Sequence, residues 1–319
     1  MIIFVSMSDR GAMFHHRRGW QKLLAVNFHA KYKFFARKNT PHYKFVLSIL
    51  FKLIKLKPRL IIFINGEYSP FLFMVHFIAY FTSTKVILSW HDVTPHNGSI
   101  FNYIQWFVAY INNFFSTRVI IYNETYKDSF FLNRKYIYLP LPPIILADEF
   151  LIDSSIKKNG SVVFFGRVEY YKGLDRVLDC YLLEENNIQL RQIFIIGSCI
   201  HNYRYKELLK NSDKVIFLGS LSDLDAFNFM LSSDAIIMPY RHCSQSFNPY
   251  WAGLTKNALI ISSEVEHSLS IAQRTGVYVF SNHHQLMSYI DVQAKLKPFS
   301  HEFYSYESGL SGLVQLCNE

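Results

Sequence analysis

The sequence predicts an α/β protein made of two domains, each a parallel sheet wrapped by helices, and three observations predict it. Strand-like and helix-like stretches alternate from end to end. The chain of 319 residues exceeds the ~250–300 residues at which a single hydrophobic core usually stops growing. A stretch carrying Pro140, Pro142 and Pro143 and then the polar run Lys157-Lys158-Asn159-Gly160 interrupts the alternation near the middle.

In the first half, residues 2–6, 60–64, 85–89, 118–122 and 136–139 read as strands with helical stretches between them. In the second half the strands are residues 161–165, 192–196, 214–218, 235–238, 259–262 and 277–280. Short unbroken runs of Val, Ile, Leu and Phe suit strands buried on both faces of a parallel sheet. The expected division is residues 1–145, a linker at 146–160 and a second domain at 161–300. Strands alternating with helices form right-handed βαβ units, and their ligands lie beyond the strands' carboxyl ends. Two such sheets facing each other are expected to leave a cleft between them.

Composition narrows the class of protein. Half of the residues are hydrophobic, which excludes a disordered chain. The apolar opening, residues 1–7, has no basic flank before it and no small-residue cleavage site after it, so it reads as a first strand and not as a signal peptide. Apolar runs such as 71–81 fall short of the ~20 residues that span a bilayer. Cys180, Cys199, Cys243 and Cys317 are scattered without a Cys-x-x-Cys pair, so neither a zinc site nor a disulfide framework is indicated and a reducing cytoplasm is the expected compartment.

Charge is uneven. Residues 1–150 hold 18 Lys/Arg against 7 Asp/Glu, a balance of +11, whereas residues 151–319 hold 15 against 17, or −2. Most of the excess lies in residues 14–59, interleaved with Trp20, Phe28, Tyr32, Phe34, Phe35, Tyr43, Phe45 and Phe51. Cations mixed with large aromatics suit peripheral contact with an anionic membrane. A solvated basic face has the same composition. So does a nucleic-acid binder, but no helix-turn-helix, RNP or zinc-finger pattern accompanies it, so no nucleic-acid partner is expected.

The segment Phe164-Phe165-Gly166-Arg167-Val168-Glu169-Tyr170-Tyr171-Lys172-Gly173-Leu174-Asp175 carries the sharpest chemical signal. It places Arg167 and Lys172 around a glycine turn between a strand and a helix, where the helix dipole and backbone N–H groups favour an anion. Charged hydrogen bonds of this kind contribute about 1.5–3 kcal/mol each. An ordinary βα loop with two solvated charges is the competing reading.

Phe-Gly-Arg followed by Lys-Gly closely resembles the donor-phosphate loop of family-4 glycosyltransferases, which have the two-domain GT-B fold. Val215-Ile216-Phe217-Leu218-Gly219 with Ser222-Asp223-Leu224 is similar to that family's strand and loop beside the nucleotide base, and Ser233 through Tyr240 to its next strand, ending in proline. In the first half, Val86-Ile87-Leu88-Ser89-Trp90-His91-Asp92-Val93 resembles the strand that delivers a histidine to the sugar. The resemblance implies a nucleotide-diphosphate sugar as donor, gripped by Gly166, Arg167, Lys172, Gly197, Leu218, Gly219 and Tyr240. His91, Arg167 and Lys172 would be catalytic, with Gly11 and Asp92 on the acceptor side. It also implies a tail helix at 301–319 packing back on the first domain, retention of anomeric configuration, and no metal or cofactor.

The sequence departs from the family at one place. Many members carry two glutamates eight positions apart, the second contacting the ribose, where this chain has Cys243 and Trp251. A variant branch reads Tyr, small polar residues and Gln-Ser-Gly; Tyr240 to Ser246 is similar to it, with Phe247 in place of the glycine. Gln245, Ser246 and Asn248 are therefore placed near the donor sugar or diphosphate.

Other signals reduce to structure. Asp223-Leu224-Asp225 has the Asp-x-Asp form of a metal site, but Ser222 before it makes a helix start with acids in the first turn. The pairs His15-His16 and His283-His284 are adjacent residues, which do not share a helix face. No Gly-x-Gly-x-x-Gly follows the first strand near Gly11.

The expected function is transfer of a sugar from a nucleotide diphosphate to a growing, lipid-linked glycan. The expected place is the cytoplasmic face of the membrane, in surface polysaccharide assembly such as O antigen, lipopolysaccharide or capsule. A noncatalytic binding or scaffold subunit and a sugar-nucleotide epimerase on the same fold are the alternatives.

Overall fold

The computed structural model describes residues 1–7, 12–27, 31–37, 40–91, 100–122, 136–139, 159–184, 192–198, 205, 207, 212–243, 246–265, 274–292 and 295–299. Gly11, Asp92, Gln245, residues 146–158 of the linker expected at 146–160, and the expected tail helix at 301–319 lie outside them. The described residues fall into two compact units, one within Met1–Ile145 and the other within Leu146–Phe303.

The first unit is a six-stranded sheet of β1 (Ile2–Ser6), β2 (Tyr32–Ala36), β3 (Leu60–Asn65), β4 (Lys85–Trp90), β5 (Arg118–Ile121) and β6 (Tyr136–Tyr138). Its strand order is β2-β1-β3-β4-β5-β6 and every pairing is parallel. Helices α1 (Ala12–Asn27), α2 (His42–Leu56), α3 (Leu72–Phe81) and α4 (Ile100–Phe115) connect the strands. β1, β3, β4 and β5 are the buried runs of Ile, Val, Leu and Phe that the sequence predicts, β1 with the expected bounds and the other three with one end shifted by a residue.

β2 is an added finding. It sits at the sheet edge and most of its residues are half-buried, so Tyr32-Lys33-Phe34-Phe35 shows neither an unbroken apolar run nor strict alternation.

α2 and α3 pack on one face of this sheet. Phe45, Ile49 and Leu53 of α2 and Leu72, Val75 and Ala79 of α3 close over Ile3, Val5, Ile61, Phe63, Val86 and Leu88. Ala109, Trp106 and Tyr110 of α4 close over Trp90, which points to the same side as Val86 and Leu88. α1 covers the opposite face, where Trp20 meets Phe4 at 6.1 Å between ring centroids. Full burial of each large apolar side chain stabilises by about 1.5–3 kcal/mol. Two aromatics of the basic stretch, Trp20 and Phe45, are thus core residues, while Tyr43 and Phe51 are exposed.

The second unit is also a parallel six-stranded sheet, built from β7 (Ser161–Phe165), β8 (Gln192–Ile196), β9 (Val215–Gly219), β10 (Ala235–Met238), β11 (Ala258–Ser262) and β12 (Val277–Phe280). Its order is β12-β11-β10-β7-β8-β9. Among the described residues its helices are α5 (Leu174–Glu184), α6 (Asp223–Ser232), α7 (Asn248–Leu254) and α8 (His283–Asp291). α6 starts as the sequence predicts: the Ser222 hydroxyl accepts from the Asp225 N–H at 3.1 Å and Asp223 and Asp225 fill the first turn. Asn282 caps α8 in the same way, accepting from the Gln285 N–H at 2.9 Å. The strand order reverses between β7 and β10, and a parallel α/β sheet opens a crevice beyond the carboxyl ends of its strands at such a point.

Candidate functional site

The crevice at the β7/β10 reversal is built from glycines and one lysine. After β7 the chain turns through Gly166 at φ +135°, a conformation that side-chain-bearing residues rarely adopt. A short 3₁₀ turn, Tyr170–Lys172, follows, and Gly173 at φ +66° closes it before α5. Gly197, ending β8, lies back to back with Gly166, where a Cβ would strike the Gly166 carbonyl. Gly219, ending β9 beside half-buried Leu218, has φ +68° and faces open space where a side chain would stand. Gly197 against Gly166 lets the ends of β7 and β8 approach closely, and Gly173 does the same for the chain leaving β10, where a Cβ would strike the Pro239 carbonyl.

The 3₁₀ turn sends Lys172 back over the crevice. Its Nζ donates to the Tyr240 hydroxyl at 2.9 Å and stands 4.0 Å above that ring. Asn248, at the start of α7, donates from Nδ2 to the same hydroxyl at 3.0 Å and to the Phe165 carbonyl at 3.0 Å. The Ser246 hydroxyl accepts from the Asn248 N–H at 3.2 Å. Burial keeps the Tyr240 phenol protonated far above the ordinary tyrosine range, so it stays a neutral anchor beside the lysine. Arg167 differs: its side chain is 65% exposed and pairs with Glu169 at 2.9 Å. The structure therefore brings Gly166, Lys172, Tyr240, Ser246 and Asn248 into one cluster with Gly197 beside it, and leaves Arg167 reaching outward from the same turn.

Trp251 and Cys243, the two positions where the resemblance leads one to expect glutamates, are both buried. The Trp251 ring packs on Phe165 and Phe227 at 6.0 and 6.1 Å. Trp251 is thus part of the packing around the end of β7.

Sequence reading missed Arg241. Its guanidinium forms a two-pronged pair with Asp175, at 2.8 and 2.6 Å, donates to the Tyr170 carbonyl at 2.7 Å, and lies over the Tyr170 ring. It ties the turn carrying Lys172 to the loop carrying Tyr240. Its position one residue after the proline-tyrosine strand end was the available signal.

In the first unit the strand order reverses between β1 and β3, and β3 leads into Gly66 and Glu67. Gly66 has φ +105°, and a Cβ there would strike the Met7 side chain. Glu67 is buried; its Oε1 accepts from both the backbone N–H and the Nδ1 of His91, at 3.1 and 3.0 Å, and its Oε2 from the Gly66 N–H at 2.9 Å. A carboxylate only accepts, so this geometry places the histidine proton on Nδ1. The His91 ring packs between His16 at 4.8 Å and Tyr122 at 5.1 Å. Burial, reinforced by His91, holds His16 well below the ordinary histidine range. Glu67 was also missed; a lone acid just after an apolar strand was its only trace. Among the described residues no group of three His, Cys, Asp or Glu could hold a metal ion.

No family model matches the sequence, and no curated protein matches it. Solved structures do. AviGT4, a glycosyltransferase involved in avilamycin A biosynthesis, aligns with TM-score 0.66 at 10% identity, covering 100% of this chain and 97% of its own. WaaG, a glycosyltransferase involved in lipopolysaccharide biosynthesis, aligns with TM-score 0.59 at 13% identity over 98% and 94%. The UDP-GlcNAc 2-epimerase of Methanocaldococcus jannaschii, solved with UDP-GlcNAc and UDP, aligns with TM-score 0.57 at 10% identity over 100% of both chains. At these identities the likeness is one of fold: two parallel α/β sheets in the GT-B architecture.

Proposed function

We propose that this chain is a glycosyltransferase that takes a sugar from a nucleotide-diphosphate donor and passes it to a lipid-linked glycan during surface polysaccharide assembly at the cytoplasmic face of a membrane. The observation that carries the reading is Lys172, fixed over Tyr240 at the switch-point crevice beside Gly166. Breaking the bond between the sugar and the diphosphate leaves negative charge growing on the departing phosphate. Lys172 and Arg167, held at the end of β7, stabilise that charge where it appears. Backbone at the three strand-end glycines lets the diphosphate approach closely. In the other unit, His91 with its proton on Nδ1 presents Nε2 as the acceptor of a sugar hydroxyl bond. Transfer with retention, the departing phosphate taking the acceptor's proton, completes the scheme.

The branch of the family without paired glutamates is part of this reading. Ser246 and Asn248 stand beside the crevice while Trp251 and Cys243 face inward. That same replacement favours a second reading, a noncatalytic binding subunit. The likeness to an epimerase over the full length of both chains favours a third.

The test is thermal stabilisation of the purified protein by UDP-, GDP-, ADP- and dTDP-sugars, since a ligand of the native state raises stability by RT ln(1 + [L]/Kd). Transfer assays with the donor so identified follow. Arg167→Ala and Lys172→Ala are each expected to lower transfer by about 10²–10³-fold. Undiminished transfer in both variants sinks the site assignment. Donor binding without product marks the binding subunit, and conversion of the donor with no acceptor present marks the epimerase.

A further inference from the structure

The outer surface of α2, α3 and α4 is apolar where a soluble domain is normally polar. Each helix buries one side against the first sheet, yet Leu47 and Phe51 of α2, Phe77 and Tyr80 of α3, and Phe107 and Phe114 of α4 are all exposed, Tyr80 by 82%. Leu47 with Phe51 and Phe77 with Tyr80 recur at the four- and three-residue spacing that keeps one helix face together. α2 packs beside α3 and α3 beside α4, so the three stripes adjoin. Large side chains of about 150–250 Å² each, half exposed or more, add up to on the order of 1,000 Å² of apolar surface. Monomeric soluble proteins rarely expose a contiguous apolar patch above a few hundred Å².

The charges around this patch have one sign. Residues 42–56, 72–81 and 100–115 contain no Asp or Glu. Because the strands are parallel, their starts share one edge of the sheet, and exposed Lys31, Lys57, Arg59 and Lys85 lie along it. α2, α3 and α4 end at that same edge. The edge therefore combines cations with Tyr80, Phe81, Phe114 and Phe115, the combination of residues that anchors a protein at lipid headgroups.

We infer that this face docks on an anionic lipid bilayer, the rings entering the interface and the lysines meeting the headgroups. No helix of the described residues is long and apolar enough to cross a membrane, so the contact is peripheral. A second copy of the chain fits less well, because a two-fold dimer through this face would bring like-charged rims together. The surface extends to α3 and α4, beyond the basic stretch at 14–59, and leaves out buried Trp20 and Phe45.

Flotation of the full chain with phosphatidylglycerol or phosphatidylcholine vesicles tests this, read beside sedimentation without lipid and donor-induced thermal stabilisation. The expected result is a lipid-free monomer that binds phosphatidylglycerol preferentially. Binding should fall at least about ten-fold in Phe77→Glu/Tyr80→Glu, and about five-fold for each cation removed in Lys31→Glu and Lys57→Glu. Thermal stability should be unchanged, because all four side chains are on the surface or half-exposed. The response to donor should also persist, which separates this test from that of the proposed function. Equal binding to both lipids, wild-type binding by the variants, or a lipid-free dimer dissolved by Phe77→Glu/Tyr80→Glu would each overturn it.

Discussion

Glu67 shows how much a single side chain can settle. Two donors of His91, the backbone N–H and Nδ1, converge on one of its oxygens while the other binds Gly66. Removing the carboxylate would strand buried donors, at a cost of about 1–3 kcal/mol each, and free the ring to rotate. A misplacement of about 1 Å at a reacting centre costs on the order of 10²-fold in rate. Glu67→Ala is therefore expected to lose about that factor in kcat/KM yet keep its thermal response to donor, because the proposed diphosphate site belongs to the other unit. Glu67→Gln, which retains an acceptor oxygen, should recover part of the loss. Steady-state kinetics decide it; wild-type transfer by both variants would remove Glu67 from the positioning of His91. Lys172 was legible in the sequence because its glycine, strand and helix lie within a dozen residues. Glu67 was not, since its partner sits one strand and one helix away and nothing local marks an acid as buried.

Between elements, the Arg241–Asp175 pair carries the geometry of the crevice. The side chains are 16% and 11% exposed, and the pair joins the α5 start to the chain leaving β10. Hydrogen bonding to Asp175 raises the guanidinium's pKa above its ordinary value, so the charge is permanent. Truncating one partner of a buried pair leaves the other uncompensated, typically at about 3–5 kcal/mol. Arg241→Ala should lose stability of that order in chemical denaturation and weaken donor stabilisation, because the turn holding Lys172 loses the guanidinium tie to the loop carrying Tyr240. The double variant Arg241→Met/Asp175→Leu should regain most of the stability without regaining donor affinity. Equal stability of Arg241→Ala and wild type would show the pair to be dispensable. Central strands were legible at this scale because burial on both faces forces unbroken Val, Ile and Leu. Edge strand β2 was hidden because its half-exposed residues answer to solvent as much as to the core. The tie through Arg241 was hidden too, being made across 66 residues of sequence.

Across the whole molecule, basic charge concentrates in the first unit, and so, among the described residues, do the shifted histidines. Its excess of Lys and Arg was plain from composition, but which histidines are buried was not, since burial depends on packing of α1 and α3 that no local pattern encodes. Burial pushes His76 down to about 4 from 6.5 and holds His16 well below 6.5; His42 is lowered too, by burial and then by Arg37. A histidine whose folded pKa is depressed stays neutral in the native state while the unfolded chain takes up a proton. The unfolded state then binds more protons below pH 6.5, and stability falls as pH drops from there toward 4. Each unit of pH in that window costs about 1.4 kcal/mol per excluded proton, or on the order of 3 kcal/mol for His76 across the whole of it. Above pH 6.5 the penalty vanishes, because neither state is protonated. Trp20, Trp90 and Trp106 lie in the first unit and Trp251 in the second, so tryptophan fluorescence reports mainly on the first. Its thermal midpoint should fall steadily between about pH 6.5 and about 4. His76→Leu should flatten that slope while leaving stability near neutral pH within about 1 kcal/mol. An unchanged slope in both His76→Leu and His16→Leu would mean that acid sensitivity, if measured, arises from carboxylates and not from these buried rings.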